Sequence, residues 1–388
     1  MARVNRSRKD QLENTLLHVQ CRFDGTPLSC VGDLLVHVIS EVQRSHEAGG
    51  SSADNAARIS TYAIKVLELL PKSFGKRFAF DAQLIRVLAD EYSQGGAKLS
   101  GMLVPKPSQS WGHQTVSMPS TDGTTTYAVD LIHLPGEDNV EDITLLDYPF
   151  ICHELGHHIL FKDGDGFIAL FSKELESVLS GLQRRTLGIR GFARQIAEAT
   201  TNQIRQYWAP TPDQFNWAHE IAVDVIAIWL SGPAYLAAIQ DVMEDDNLNP
   251  FQLGKSHPTY ETRGRALIEA SECLGWAYYT GPFRTLLSRW EATPPSGDRT
   301  NLHVACADPQ LINAAVSAAI KTCQALSLPS CTAARVAAVE NALREGLEIE
   351  LGTDLLIAAW LQYCQSSEAD YHAWEIAAIA RILAEITE

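Results

Sequence analysis

Basic residues are scarce in this chain: 31 Lys and Arg stand against 47 Asp and Glu, a formal charge of −16. A phosphate backbone is held by a positively charged footprint, so this balance argues against a nucleic-acid partner. It also disfavours an anionic membrane surface. Long apolar runs are missing too. The most apolar stretch, Val225 to Ile239, falls short of the roughly 20 residues a bilayer span needs, and Ser231-Gly232-Pro233 interrupts it. No membrane span is therefore expected. No two of the 8 cysteines form a C-x-x-C pair. The basic start, with Arg3, Arg6, Arg8 and Lys9, is followed by no apolar signal segment. The expectation is a cytoplasmic protein with reduced thiols. No internal repeat is present, which excludes a solenoid.

What remains is ordinary globular material, 46% apolar and 20% charged over 388 residues, enough chain to bury a large core. Apolar spacing predicts helices over Asp33 to Glu47, Ala53 to Leu70 and Asp81 to Tyr92. Shorter, strand-like segments follow at Leu99 to Val104, His113 to Met118 and Thr124 to Leu134, with Asp122-Gly123 as a hairpin turn. In the last strand Tyr127, Val129, Leu131 and His133 alternate with Ala128, Asp130 and Ile132. Asp147 is the expected N-cap of the next helix, which runs to about Lys162 and is ended by Asp163-Gly164-Asp165-Gly166. As a calcium loop that run lacks the glycine required at its sixth position, where Ile168 stands. Residues 167–208 read as helical, interrupted near Gly188 to Gly191. Thr211-Pro212-Asp213-Gln214 has the pattern of a capped helix start. Thr259 to Trp276 is helical. Thr293 to Thr300 is the best boundary, and Ala-rich helices follow it at Pro309 to Leu326, Thr332 to Glu350, Thr353 to Gln365 and Ala369 to Thr387.

The chain is organised around Ile151-Cys152-His153-Glu154-Leu155-Gly156-His157-His158, which contains H-E-x-x-H in an apolar setting. On a helix, residues i and i+4 lie one above the other, so His153 and His157 can aim two imidazoles at one metal ion. Glu154 beside them is placed to take a proton from a metal-activated water. His158 lies about 100° further round the helix and reads as packing or support. Cys152 reads as buried.

A catalytic zinc takes three protein ligands and keeps one position open. The candidates for the third are Asp163, His219 and Glu220. Glu220 is preferred because Asp224 follows at i+4, where it can accept the outer N–H of a ligand histidine. Ile221, Ala222, Val223, Val225, Ile226 and Ile228 surround the two carboxylates. Carboxylates in so apolar a helix need a cation or another partner. Downstream lies Ser256-His257-Pro258-Thr259-Tyr260-Glu261-Thr262-Arg263.

H-E-x-x-H, then E-x-x-x-D, then H-P-x-x-x-x-R resembles the gluzincin metallopeptidases, most closely the soluble relatives of the CAAX prenyl protease and HtpX-like group. The likeness covers about residues 120–270; the terminal helical regions lie outside it. It implies Zn²⁺ held by His153, His157 and Glu220, with Glu154 as general base and proton shuttle. It implies Asp224 orienting a ligand histidine, Arg263 pairing with Asp224, and His257 donating to the substrate oxygen, with Tyr260 a weaker substitute. It also implies that the strand Thr124 to Leu134 is a sheet edge receiving an extended peptide.

The expected architecture is a mostly helical α+β protein: a helical region over residues 1–96, a zincin-like core over 97–292, and a helical region over 293–388. The expected function is zinc-dependent hydrolysis of a peptide or protein substrate. The alternative is a latent zincin acting as a regulatory or scaffolding protein, with a protein partner bound through the terminal helices.

Overall fold

The computed structural model describes residues 76–93, 102–108, 110–119, 126–135, 143–163, 165–186, 201–210, 216–245, 249–292 and 301–387. The helices expected over 33–47 and 53–70, the Asp122-Gly123 turn, the Thr211 cap and the Thr293–Thr300 boundary lie outside these residues. The described chain is mostly helical with one small sheet. No helix among the described residues is long and apolar enough to cross a membrane.

The chain falls into two compact units. The first comprises residues 1–90, 99–144 and 372–388. It holds most of helix α1 (Lys76–Ser93) and three strands, β1 (Met102–Ser108), β2 (Gly112–Pro119) and β3 (Thr126–Pro135). β2 and β3 pair antiparallel, with Gly112 opposite His133 and Pro119 opposite Thr126. β1 pairs with β3 in parallel, from Met102 opposite Val129 to Ser108 opposite Pro135. The strand order is β1-β3-β2. The Thr124 to Leu134 segment is therefore the central strand, not the edge expected for peptide capture. A parallel partner is joined through a crossover and leaves no local signal in the sequence. Asp130, Leu131 and Ile132 are all buried, so the alternation of sides does not show as an alternation of burial. Both faces are covered at this level of the strand. Arg77 Nη2 donates to the Pro135 carbonyl at 2.6 Å, and Phe78, Phe80, Leu84, Ile85 and Leu88 bury one stripe of α1.

The second unit comprises residues 91–98 and 145–371. Its helices are α2 (Phe150–Asp163), α3 (Asp165–Thr186), α4 (Trp217–Ser231), α5 (Pro233–Met243), α6 (Tyr260–Cys273), α7 (Gly281–Glu291), α8 (Asn301–Cys306), α9 (Pro309–Ala325), α10 (Ala333–Arg344) and α11 (Thr353–Gln365). A last helix, α12 (Glu368–Thr387), begins in this unit and continues into the first. α4 lies at the centre. It is buried along almost its whole length and packs against α2, α5, α6, α9 and α11. Its composition explains this, since Ile, Val, Ala, Leu and Trp occupy every side of the helix.

Two expected helix starts shift. Asp147 precedes α2 by a turn over 145–149, and its backbone carbonyl accepts Phe150 N–H at 3.1 Å. α4 is opened by Asn216, whose side chain accepts from the N–H groups of Ala218 and His219. The break expected at Ser231-Gly232-Pro233 is present. Gly232 sits at φ 57°, and a Cβ there would lie 2.7 Å from Cys331 Sγ, so only glycine fits. Pro233 then takes the first position of α5.

Candidate metal centre

α2 and α4 approach closely enough to face each other's side chains. Gly156 permits this: a Cβ on it would lie 3.1 Å from Val223 Cβ, tighter than ordinary van der Waals contact. The facing stripe of α2 carries His153, Glu154 and His157, and that of α4 carries Glu220 and Asp224, all buried.

One ligand atom each from His153, His157 and Glu220 falls within 4.8 Å of the other two. His153 Nε2 lies 3.7 Å from Glu220 Oε2, and His157 Nε2 lies 3.6 Å from Glu220 Oε1. These separations exceed a hydrogen bond. They come close to the spacing of about 3.4 Å between two ligand atoms that share a tetrahedral zinc at 2.0–2.2 Å. The imidazoles meet edge to face, with centroids 4.9 Å apart. Oε2 of Glu154 and Oε2 of Glu220 are buried with no hydrogen-bond partner among the described residues. Two imidazoles and a carboxylate form a borderline-soft N/O donor set, and zinc suits it. The residues fit the ion.

Asp224 stands behind His153. Its Oδ1 accepts from His153 Nδ1 at 2.9 Å and from Arg263 Nη2 at 2.7 Å, and its Oδ2 accepts from Arg263 Nε at 2.6 Å. With Nδ1 engaged in this way, Nε2 is the atom of His153 that faces Glu220. Arg263 comes from the first turn of α6, a helix capped by Thr259, which accepts from Thr262 N–H.

The charges follow from this packing. Burial opposes the ionised form of Asp224, but the charge and hydrogen bonds of Arg263, with His153, outweigh it and hold the carboxyl well below its usual range. Glu220 has burial without such a partner, and its pKa rises to about 8. Glu154 is raised well above the carboxylate range, first by burial and then by Glu220. His153 is lowered by burial, partly offset by Asp224. Ionising either acid in this buried setting would call for a cation beside it.

His257 reaches the same carboxylate, its Nε2 3.6 Å from Glu220 Oε1. Ser256 Oγ lies 2.8 Å from its Nδ1, and the side chain is 67% exposed. Trp217 holds the loop that carries it, donating from Nε1 to the Gly254 carbonyl at 2.8 Å. The cluster includes no other candidate ligand among the described residues. His219 packs against Phe167 with Nδ1 3.2 Å from Asn216 Oδ1, and burial lowers its pKa to about 4. Asp163 is the last residue of α2. Tyr260 opens α6. His158 is fully buried. So is Cys152, with Sγ 3.0 Å from Tyr92 Oη and a thiol pKa pushed up to about 11 by burial.

The spacing argument misses one residue. Tyr235, in the first turn of α5, is fully buried beside His153 and Asp224. It follows Asp224 by eleven positions across the Gly232-Pro233 break, and nothing in the local pattern marks it. No protein-family model, curated protein or solved structure matches this chain.

Proposed function

We propose that this chain is a zinc-dependent peptide hydrolase of the gluzincin type, with the zincin core formed around α2 and α4. One observation carries the reading. His153, His157 and Glu220 converge from two helices at metal-ligand spacing, with Asp224 and Arg263 behind His153 and an unsatisfied Glu154 oxygen beside them.

His153, His157 and Glu220 would hold Zn²⁺. The ion would lower the pKa of a water and polarise the substrate carbonyl. Glu154 takes the proton from the attacking water and passes it to the departing amine. A carboxylate beside the attacking water suits both tasks, accepting the proton in the first step and donating it in the second. His257 extends from a loop toward Glu220 with an exposed edge, suited to donate to the substrate oxygen as charge develops there. Asp224 and Arg263 fix the ring of His153. The exposure of His257 on an otherwise buried site supports a peptide entering from that side. Among the described residues Cys152, Cys273, Cys306, Cys323, Cys331 and Cys364 are free thiols, which supports a reducing, cytoplasmic setting.

The test is Glu154→Gln, assayed against a peptide library with zinc content measured in parallel. Turnover should fall at least 10²-fold, the lower end of what a general base contributes, with zinc retained. A biological activity that survives the substitution would favour the scaffolding role over hydrolysis.

A further inference from the structure

Tyr235 touches the candidate metal centre in two ways. Its hydroxyl donates to Asp224 Oδ1, lies 3.2 Å from His153 Nδ1, and accepts from Arg263 Nη2 at 3.3 Å. Its ring stacks on the imidazole of His153, centroids 6.1 Å apart and planes within 16°. Phe150 closes the other side of the tyrosine, edge-on at 5.8 Å. The imidazole of His153 is thus fixed in plane by stacking and in rotation by Asp224.

Asp224 Oδ1 accepts from His153, Arg263 and Tyr235. Arg263 alone neutralises the carboxylate, so the tyrosine is not needed for charge. A carboxylate gripped only by the guanidinium could still tilt about that fork. The hydroxyl comes from α5, a third element, and removes that freedom. Its place depends on the break at Gly232 and Pro233, after which α5 packs against α4.

From this geometry we infer that Tyr235 is a positioning residue for the metal centre: it aims Nε2 of His153 through Asp224 and through the stacked ring, and so tunes affinity for a divalent cation. This inference rests on the proposed zinc site and deepens it. His153, His157 and Glu220 bind; Tyr235 touches no substrate and acts through two of its neighbours. A phenylalanine would keep the stacking and lose the hydroxyl, leaving Asp224 Oδ1 one donor short.

The experiment is zinc titration of the full chain against a competing chromophoric chelator, for the parent and Tyr235→Phe, with melting of the metal-free proteins and the visible spectra of their cobalt forms. Outer partners of metal ligands typically govern affinity by about 10- to 100-fold. Tyr235→Phe should bind zinc that much more weakly, with an altered cobalt spectrum and a metal-free melting temperature lowered by no more than a few degrees. Equal affinity and identical cobalt spectra would overturn the positioning role and leave the metal centre standing. A parent that binds no zinc would overturn the site on which the inference rests. A second measurement needs no variant. In the parent, proton NMR should show a slowly exchanging hydroxyl proton close to the His153 ring; a freely exchanging one would contradict the role even if the phenylalanine variant failed to fold.

Discussion

Arg263 grips Asp224 through both carboxylate oxygens, Nε to Oδ2 at 2.6 Å and Nη2 to Oδ1 at 2.7 Å, at a point where Asp224 is 1% exposed. Parallel charge-assisted bonds of this kind fix orientation as well as charge. Removing one partner leaves the other charge buried alone, at a cost of about 3–5 kcal/mol. Asp224→Asn is therefore expected to destabilise the metal-free protein by that order, measured by denaturant unfolding. Arg263→Met should do the same, and the double variant should recover part of the loss. Additive single and double changes would show that the pair does not act as a unit.

Gly156 is the close-approach residue of the α2–α4 interface. Gly156→Ala would gain helix propensity on an exposed surface. Here the added methyl meets Val223 Cβ at 3.1 Å and its Cα at 3.3 Å, with backbone that yields little. Overpacking of this kind typically costs about 1–3 kcal/mol. The expected result is lower stability together with weaker zinc binding, because the same displacement separates His153 and His157 from Glu220. Val223→Ala removes only the γ-carbon contact and leaves Cβ and Cα in place, so adding it to Gly156→Ala should recover little of either. Unchanged stability in the single variant would mean that the helices can move apart freely.

The H-E-x-x-H, E-x-x-x-D and H-P-x-x-x-x-R segments were legible because each is local. A helix puts His153 under His157, and Glu220 under Asp224, whatever the fold around them. Whether the segments meet depends on long-range packing. That packing rests on features with little local signature, such as the Gly156–Val223 contact and the Gly232 break after which Tyr235 meets Asp224. The sheet shows the same limit. The antiparallel β2–β3 pairing was readable from two adjacent strand-like runs, whereas β1 joins β3 across intervening chain in parallel, and this turned an expected edge into a centre. Three of the four helices after residue 308 were read nearly as found, because alanine-rich amphipathic runs need little tertiary help to be recognised, but the one expected over Thr332 to Glu350 ends at Arg344, with Gly346 at φ 68° beyond it.

Glu261 offers an acid-stability test away from the metal ligands. It is buried in the first turn of α6, bonded to His303 Nε2 from α8 and to Arg265 at 3.0 Å. Burial raises its pKa, but the hydrogen bonds from His303 and Arg265 outweigh this and hold it at about 2. A depressed carboxyl pKa contributes stability that is present above the unfolded value near 4.5 and is lost as pH falls toward about 2. The contribution is on the order of 1–3 kcal/mol. Glu261→Gln should melt lower than the parent at pH 6, and the difference should shrink steadily between pH 5 and pH 3. Parallel melting curves across that range would remove Glu261 from the acid response.

Metal content per chain tests the central claim most directly. The purified protein, after zinc resupply and removal of loosely bound ion, is measured beside Glu220→Ala. The expected result is close to one zinc per chain in the parent and much less in the variant, since the carboxylate would be the third ligand of the proposed set. A parent with essentially no zinc would contradict the metal centre and the hydrolase built on it; full retention without Glu220 would move the third ligand elsewhere.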